Sequence, residues 1–93
     1  MVVFMGYDSE KYYEYIDLFR KNITKIPKDW NIKCKELYLG LNKITKIPKD
    51  WKPQCKELYL GHNQIKKIPK EWNPRCKKIL LDLNTIISKN LKK

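Results

Sequence analysis

Three cysteines and one histidine are the side chains of this chain best suited to chemistry. Cys34, Cys55 and Cys76 recur at intervals of 21 residues, and His62 is the one histidine. Cysteine and histidine are ligands that zinc prefers, but His62 follows a predicted strand by two residues and is expected on the face opposite to the thiols. The recurrence of the cysteines at one phase instead favours small buried core residues. We therefore predict no metal site and no cofactor.

His62 is also a weak candidate for a general base. A histidine activates a nucleophile only within hydrogen-bond reach, and none of the five serine and threonine residues recurs near it in the repeat. The sequence shows no catalytic constellation, so we predict that the protein has no catalytic residues and is not an enzyme. We interpret His62 as a surface contact residue.

A second recurring set combines tryptophan with lysine. Trp30, Trp51 and Trp72 each stand two residues after a lysine. Aromatic side chains beside cationic ones are typical of platforms that stack the bases of single-stranded nucleic acid. An indole at the same phase of every repeat, next to an Ile-Pro pair, is explained better by core packing in which its N–H finds a carbonyl.

Lysines recur at three phases of the repeat. Stacked repeats place them in columns about 5 Å apart, where like charges repel one another. Acidic residues accompany two of these columns, which favours a solvated and partly ion-paired surface. The column Lys25, Lys46 and Lys67 has no adjacent acid. It is the candidate anion-binding site under the less favoured interpretation.

The elements that must position these columns are three gapless copies of a 21-residue unit, at 23–43, 44–64 and 65–85. Such a period is typical of a solenoid, in which each unit buries its apolar side against its neighbours. The alternation Leu37-Tyr38-Leu39 predicts a strand in which two inward aliphatic side chains flank an outward one. The proline that follows each Ile-x-x-Ile prevents a helix from continuing there.

The spacing of residues within the unit resembles the leucine-rich-repeat pattern, with cysteine at the first leucine position. The match recurs three times and in its first copy consists of Cys34, Leu37, Leu39, Asn42, Ile44, Ile47 and Pro48. The resemblance implies an α/β-type solenoid, an arc with a short-stranded parallel sheet on the concave face and irregular Ile-Pro and Trp segments on the convex face. It also implies a non-catalytic protein-protein interaction module that binds through the concave face.

We predict a single domain over residues 1–93, with three repeats at 23–85, a short C-terminal tail at 86–93, and an N-terminal cap or degenerate repeat at 1–22. Within this first segment Tyr13, Ile16 and Leu18 match the phase of the repeat and favour a strand. An amphipathic helix over residues 9–20 is the alternative, since apolar residues there also fall at helical spacing.

Outward-pointing positions of the predicted strands vary within the otherwise uniform repeat, so packing does not dictate them. Exposed tyrosine, leucine and phenylalanine in one patch are typical of an interface. Tyr38 and Tyr59 are the expected anchors, because neighbouring glycines are predicted to leave their rings accessible. The candidate partner-binding residues are Phe19, Glu36, Tyr38, Glu57, Tyr59, His62 and Leu80.

Charge supports a second functional hypothesis. The chain has 21 Lys and Arg residues against 10 Asp and Glu residues, a net charge of +11. Residues 1–20 carry −2, so residues 21–93 carry +13. This balance favours anionic partners, but only two basic residues are arginine, which weighs against sequence-specific recognition of nucleic acid. An electrostatic binder of nucleic acid or anionic surfaces is therefore the alternative to a protein partner.

Two further expectations concern location and assembly. The opening MVVFMGYDSE lacks the features of a signal peptide, and no stretch approaches the roughly 20 apolar residues of a membrane span. We expect a cytoplasmic protein with no membrane span. The predicted tail is too short to cover the last repeat, so a homodimer that pairs two C-terminal ends or two concave faces is a third hypothesis.

Overall fold

The computed structural model describes residues 2–84, which form six strands and no helix. The first two strands make an antiparallel hairpin, and the other four make a parallel sheet in chain order. The chain is thus a β-solenoid whose successive strands lie 21 residues apart in sequence. The strands are β1 (Val3–Phe4), β2 (Tyr7–Asp8), β3 (Tyr12–Asp17), β4 (Lys33–Tyr38), β5 (Gln54–Tyr59) and β6 (Arg75–Leu80).

The parallel sheet keeps identical phases of the repeat side by side. Leu37 of β4 pairs with Leu58 of β5, which pairs with Ile79 of β6. Leu37 and Leu58 are fully buried, as is Leu60 just after β5. Burial of each such side chain contributes roughly 1.5–3 kcal/mol. In a single repeat these side chains would be only partly buried, so the fold depends on the stacking of one repeat on the next.

The segments that connect the parallel strands are irregular, as predicted, and this corrects the α/β class. The segment that connects β4 to β5 has 15 residues, 39–53. Pro48 lies in the middle of this segment and Pro53 at its end, so both the length and the missing N–H groups disfavour a helix. Ile44, Ile47 and Trp51 nevertheless fill the core from it.

The tryptophan column is part of the core. Trp30 and Trp51 are fully buried. The indole N–H of Trp51 donates to the carbonyl of Trp30, and that of Trp72 donates to the carbonyl of Trp51, both at 2.7 Å. The rings of Trp51 and Trp72 are stacked, with centroids 6.1 Å apart. Core packing is therefore confirmed for Trp30 and Trp51, whose rings have no exposed surface, while Trp72 is half-buried.

An asparagine column closes the turn after each strand. The Asn63 side-chain amide donates to the carbonyls of Leu39 (3.0 Å) and Leu60 (3.1 Å), and its oxygen accepts from the backbone N–H of Ile44 at 3.0 Å. These bonds join one repeat to the preceding one. Asn42 is placed in the same way. No buried side-chain polar atom of the described residues lacks a hydrogen-bond partner.

The N-terminal segment forms a strand rather than the alternative helix. β3 pairs in parallel with β4, and its Ile16 lies beside Leu37 in the core. The β1–β2 hairpin covers this end of the solenoid: the Phe4 and Trp30 rings form a T-shaped pair with centroids 4.9 Å apart, and the Trp30 indole donates to the carbonyl of Tyr7 at 3.0 Å.

The other end of the solenoid bears on two of the expectations. In the last described repeat Trp72, Cys76 and Ile79 are partly exposed, in contrast to their buried counterparts in the preceding repeats. The predicted tail, 86–93, lies outside the described residues. The homodimer hypothesis depends on what covers this end, and it stays a prediction.

Candidate functional site

The candidate site lies on the face of the parallel sheet that points away from the core, called here the outer sheet face. Two columns of side chains cross it, because residues at equal phase are register partners. One column consists of Asp17, Tyr38, Tyr59 and Leu80, and the other of Tyr15, Glu36, Glu57 and Lys78. All seven predicted partner-binding residues fall in these columns or in the turns that follow the strands.

An aromatic stack runs along the outer sheet face. The rings of Tyr38 and Tyr59 are nearly parallel, with an interplanar angle of 10° and centroids 4.6 Å apart. Phe19 lies on the other side of Tyr38, at 5.3 Å and 36°. Contacts of this kind add roughly 0.5–1.5 kcal/mol per pair beyond area burial. The stack is therefore a preformed surface whose rings lose little conformational freedom when a partner binds.

Each tyrosine hydroxyl donates a hydrogen bond to a glutamate two residues earlier on its own strand, Tyr38 to Glu36 and Tyr59 to Glu57. This bond, together with desolvation and the negative charge of Glu57, raises the pKa of Tyr59 to about 12. The bond to Glu36 is likewise the main cause of the raised pKa of Tyr38. The phenols are neutral at physiological pH, and they orient two adjacent carboxylates along one side of the stack.

A shallow hollow of about 240 Å³ opens at the carboxyl ends of the last two strands and is called here the concave hollow. Four of the seven predicted partner-binding residues line it, whereas Glu36, Tyr38 and Glu57 do not. Its lining is completed by Leu83 and Asp82, which share the outward phase of the repeat but were not among the candidates. The lining residues are Phe19, Gly40, Tyr59, Gly61, His62, Leu80, Asp82 and Leu83.

The glycines in the hollow have a different role from the one predicted. A Cβ atom on Gly40 would stand 2.7 Å from the ring carbon Cε1 of Phe19. The space beside Gly40 is thus filled by the Phe19 ring, which in turn covers one face of Tyr38. Tyr59 borders the hollow and Tyr38 does not. The expected anchor at Tyr38 is therefore stacked between two aromatic rings, whereas Tyr59 borders the hollow, and both tyrosines are half-buried.

The turn after each strand holds a non-glycine residue in the left-handed region. Leu41, His62 and Leu83 have φ values of 57°, 55° and 60°. This conformation costs a side chain with a Cβ atom roughly 1–2 kcal/mol relative to ordinary backbone. Leu41 is 40% exposed and Leu83 is 68% exposed, so burial of these side chains against the described residues does little to offset the backbone strain. His62 and Leu83, which combine a left-handed backbone with an exposed side chain, therefore line the concave hollow.

The cysteine column is a core feature, with one correction. Cys34 and Cys55 are buried, with their sulfur atoms 3.6 Å apart, but Cys76 is only half-buried. Hydrogen bonding to the Cys34 thiol, then to that of Cys76, raises the pKa of Cys55, and its bond to Cys76 lowers the pKa of Cys76. All three are free thiols. No group of three metal-ligating side chains converges among residues 2–84.

The predicted anion-binding column lies away from the outer sheet face. Lys46 and Lys67 line one hollow of about 600 Å³, and Lys25 and Lys46 line another of about 370 Å³. Both hollows have a floor of isoleucine and proline. The structure brings the three lysines together along one edge of the connecting segments, and anion binding there stays a prediction.

The chain was compared with protein families, with curated proteins and with solved structures. No family model, no curated protein and no solved structure matches this chain. Within residues 2–84 no helix is long and apolar enough to cross a membrane.

Proposed function

We propose that this protein is a non-catalytic, leucine-rich-repeat-type binding module that recognises a partner protein with its outer sheet face, centred on the concave hollow. The observation that carries this proposal is the row of apolar side chains there that the fold does not bury. Phe19 is 39% exposed and Leu83 is 68% exposed, and both border the hollow beside Tyr59. Clustered aromatic and aliphatic side chains of this kind are typical of binding hot spots.

The charges around the hollow define the chemistry of the partner. Although the whole chain is strongly basic, Asp82 lines the hollow, Glu57 accepts a hydrogen bond from Tyr59 at its border, and Glu36 is the register partner of Glu57. Lys78 is the register partner of Glu57 and adds one positive charge to the same column. The bound segment is therefore one that presents an aliphatic or aromatic side chain to Tyr59 and a basic side chain to the carboxylates. A polyanion is disfavoured on this face.

We propose a cytoplasmic location, which the free thiols support because reducing compartments keep thiols unlinked. Cys34 and Cys55 are close neighbours that remain unlinked.

The test is a selection from a displayed library of random peptides against the immobilised protein, followed by calorimetry with the enriched sequences. We expect peptides that pair an apolar residue with a basic one. The substitutions Tyr59→Ala and Leu83→Ala should each weaken binding roughly tenfold, whereas Tyr12→Ala should leave it unchanged. Tyr12 is a matched control because it is also an exposed tyrosine, 62% accessible, but lies outside the hollow. Equal losses for Tyr12→Ala and Tyr59→Ala would contradict the proposal.

A further inference from the structure

A second groove lies at the amino-terminal ends of the parallel strands, away from the concave hollow, and is called here the cationic groove. It has a volume of about 500 Å³. Neighbouring strands of a sheet are about 4.8 Å apart, so a groove that runs from β3 to β6 is roughly 14 Å long. Its lining residues are Tyr12, Cys34, Lys35, Gln54, Cys55, Lys56, Arg75 and Lys77.

The charge of this groove has one sign. Lys35, Lys56, Lys77 and Arg75 line it, and no carboxylate of the described residues does. The acids that accompany this lysine column, Glu36 and Glu57, are outside the lining and accept hydrogen bonds from Tyr38 and Tyr59, and Glu14 of β3 is outside it as well. Lys56, Lys77 and Arg75 are exposed, which leaves them available to a ligand. Four cations on adjacent strands repel one another, and a bound anion would relieve that repulsion. The groove therefore favours a ligand with several negative charges in a row.

An aromatic side chain at one end of the groove narrows the ligand class. Tyr12 is 62% exposed, lies where β3 begins and belongs to the column that ends in Gln54 and Arg75 of the groove. A cationic track that ends at an accessible ring matches the way proteins hold single strands, with lysines on the phosphates and a base stacked on the ring. The hollows lined by Lys25, Lys46 and Lys67 have no aromatic side chain in their lining.

We infer that the cationic groove binds a short stretch of single-stranded nucleic acid without sequence preference. Lysine acts as a point charge toward phosphate, and Arg75 is the groove's one guanidinium, so few donors are arranged to distinguish bases. The groove and the concave hollow occupy opposite ends of the strands. The protein can therefore hold a nucleic acid and a partner protein together.

The test measures fluorescence anisotropy of a labelled thymidine 12-mer with the full chain. With about three phosphates neutralised, affinity should fall roughly 20-fold between 50 and 200 mM salt. The triple variant Lys35→Gln, Lys56→Gln, Lys77→Gln should lose at least tenfold in affinity at 50 mM salt. The matched control Lys25→Gln, Lys46→Gln, Lys67→Gln removes the same charge from the other column and should lose less than threefold.

Further arms separate the alternatives. Tyr12→Ser should weaken the 12-mer severalfold but leave inorganic polyphosphate unaffected. Equal losses in the two triple variants would mean diffuse attraction by net charge and would overturn the assignment, as would a larger loss in the control. Failure of the 12-mer to bind at 100 μM protein, or a preference for duplex, would also overturn it. If the first triple variant does not fold, the exposed pair Lys56→Gln and Lys77→Gln replaces it, with Lys46→Gln and Lys67→Gln as control.

Discussion

Replacement of Asn63 by alanine tests the asparagine column that joins the repeats. The side chain is 94% buried, and its oxygen is the one partner that the structure gives to the backbone N–H of Ile44. Loss of that acceptor leaves a buried N–H without a partner, which costs about 1–3 kcal/mol. The carbonyls of Leu39 and Leu60 each keep a second donor, Asn42 and Asn84 respectively, so their loss is limited to about 0.5–1 kcal/mol each.

The expected destabilisation is therefore about 2–5 kcal/mol, a large share of the 5–15 kcal/mol typical of a whole domain. Urea unfolding followed by tryptophan fluorescence measures it, because the indoles are core residues. The control is Gln64→Ala at the next, exposed position, with an expected change within about 0.5 kcal/mol. If Asn63→Ala and Gln64→Ala have the same midpoint, the asparagine does not hold the repeats together as described.

Asn63→Asp extends the test by separating acceptor from donor. An aspartate keeps the oxygen that receives the Ile44 N–H, but its second oxygen faces the carbonyls of Leu39 and Leu60. Those carbonyls favour the protonated acid, so the pKa of the new carboxyl should be raised in the folded state. The deficit relative to the parent protein should then be smallest below the unfolded pKa, about 3.9, and grow as the pH rises through the folded pKa. A deficit independent of pH would contradict this account.

Three further predictions follow from the core, the thiols and the tyrosines. Leu60→Ala should lower the free energy of unfolding by about 2–5 kcal/mol, because it opens a cavity in the central repeat, and an unchanged thermal midpoint would contradict the packing. In native buffer a neutral thiol reagent should label one cysteine, Cys76, whereas the two buried thiols should react only after unfolding. If the variant Cys76→Ser is still labelled in native buffer, this order of labelling is wrong. The Tyr59 phenol should ionise near pH 12, and Glu57→Gln should lower its pKa toward 10. Because the pKa of Tyr59 is higher in the folded state, the stabilisation by the neutral phenol is complete below pH 10 and disappears as the pH rises toward 12. Titration by ultraviolet absorbance measures this pKa. The same titration curve for the parent protein and for Glu57→Gln would exclude the carboxylate as the cause.

Much of the solenoid could be predicted because its information is local and repeated. Leu37 and Leu39 alternate with Tyr38 in a pattern that only a strand satisfies, and the 21-residue period brings equal phases together. The error lay in the α/β class, which came from the resemblance and not from the residues. Pro48 and the 15-residue connection already disfavoured a helix.

The site was predicted less completely, because side-chain contacts at the ends of the repeat array do not repeat. The outward phase of Tyr59 and Leu80 follows from alternation alone. The position of the Phe19 ring over Gly40 does not, since it depends on a rotamer chosen within the folded protein. Asp82 and Leu83 continue the outward phase into the last turn, so the alternation indicated this face for them, although they were not selected as partner-binding residues.

The sequence by itself therefore determined the period, the strands, the asparagine and tryptophan columns and the direction of each side chain, because each of these is a property of one repeat multiplied by stacking. The tertiary structure alone decided which side chains stay exposed and which face carries which charge. Cys76, in the last repeat that the structure describes, is half-buried although Cys55 at the same phase is buried. The cationic groove likewise combines three neighbouring phases of the repeat with Tyr12 from β3, an arrangement that exists only once the sheet has formed.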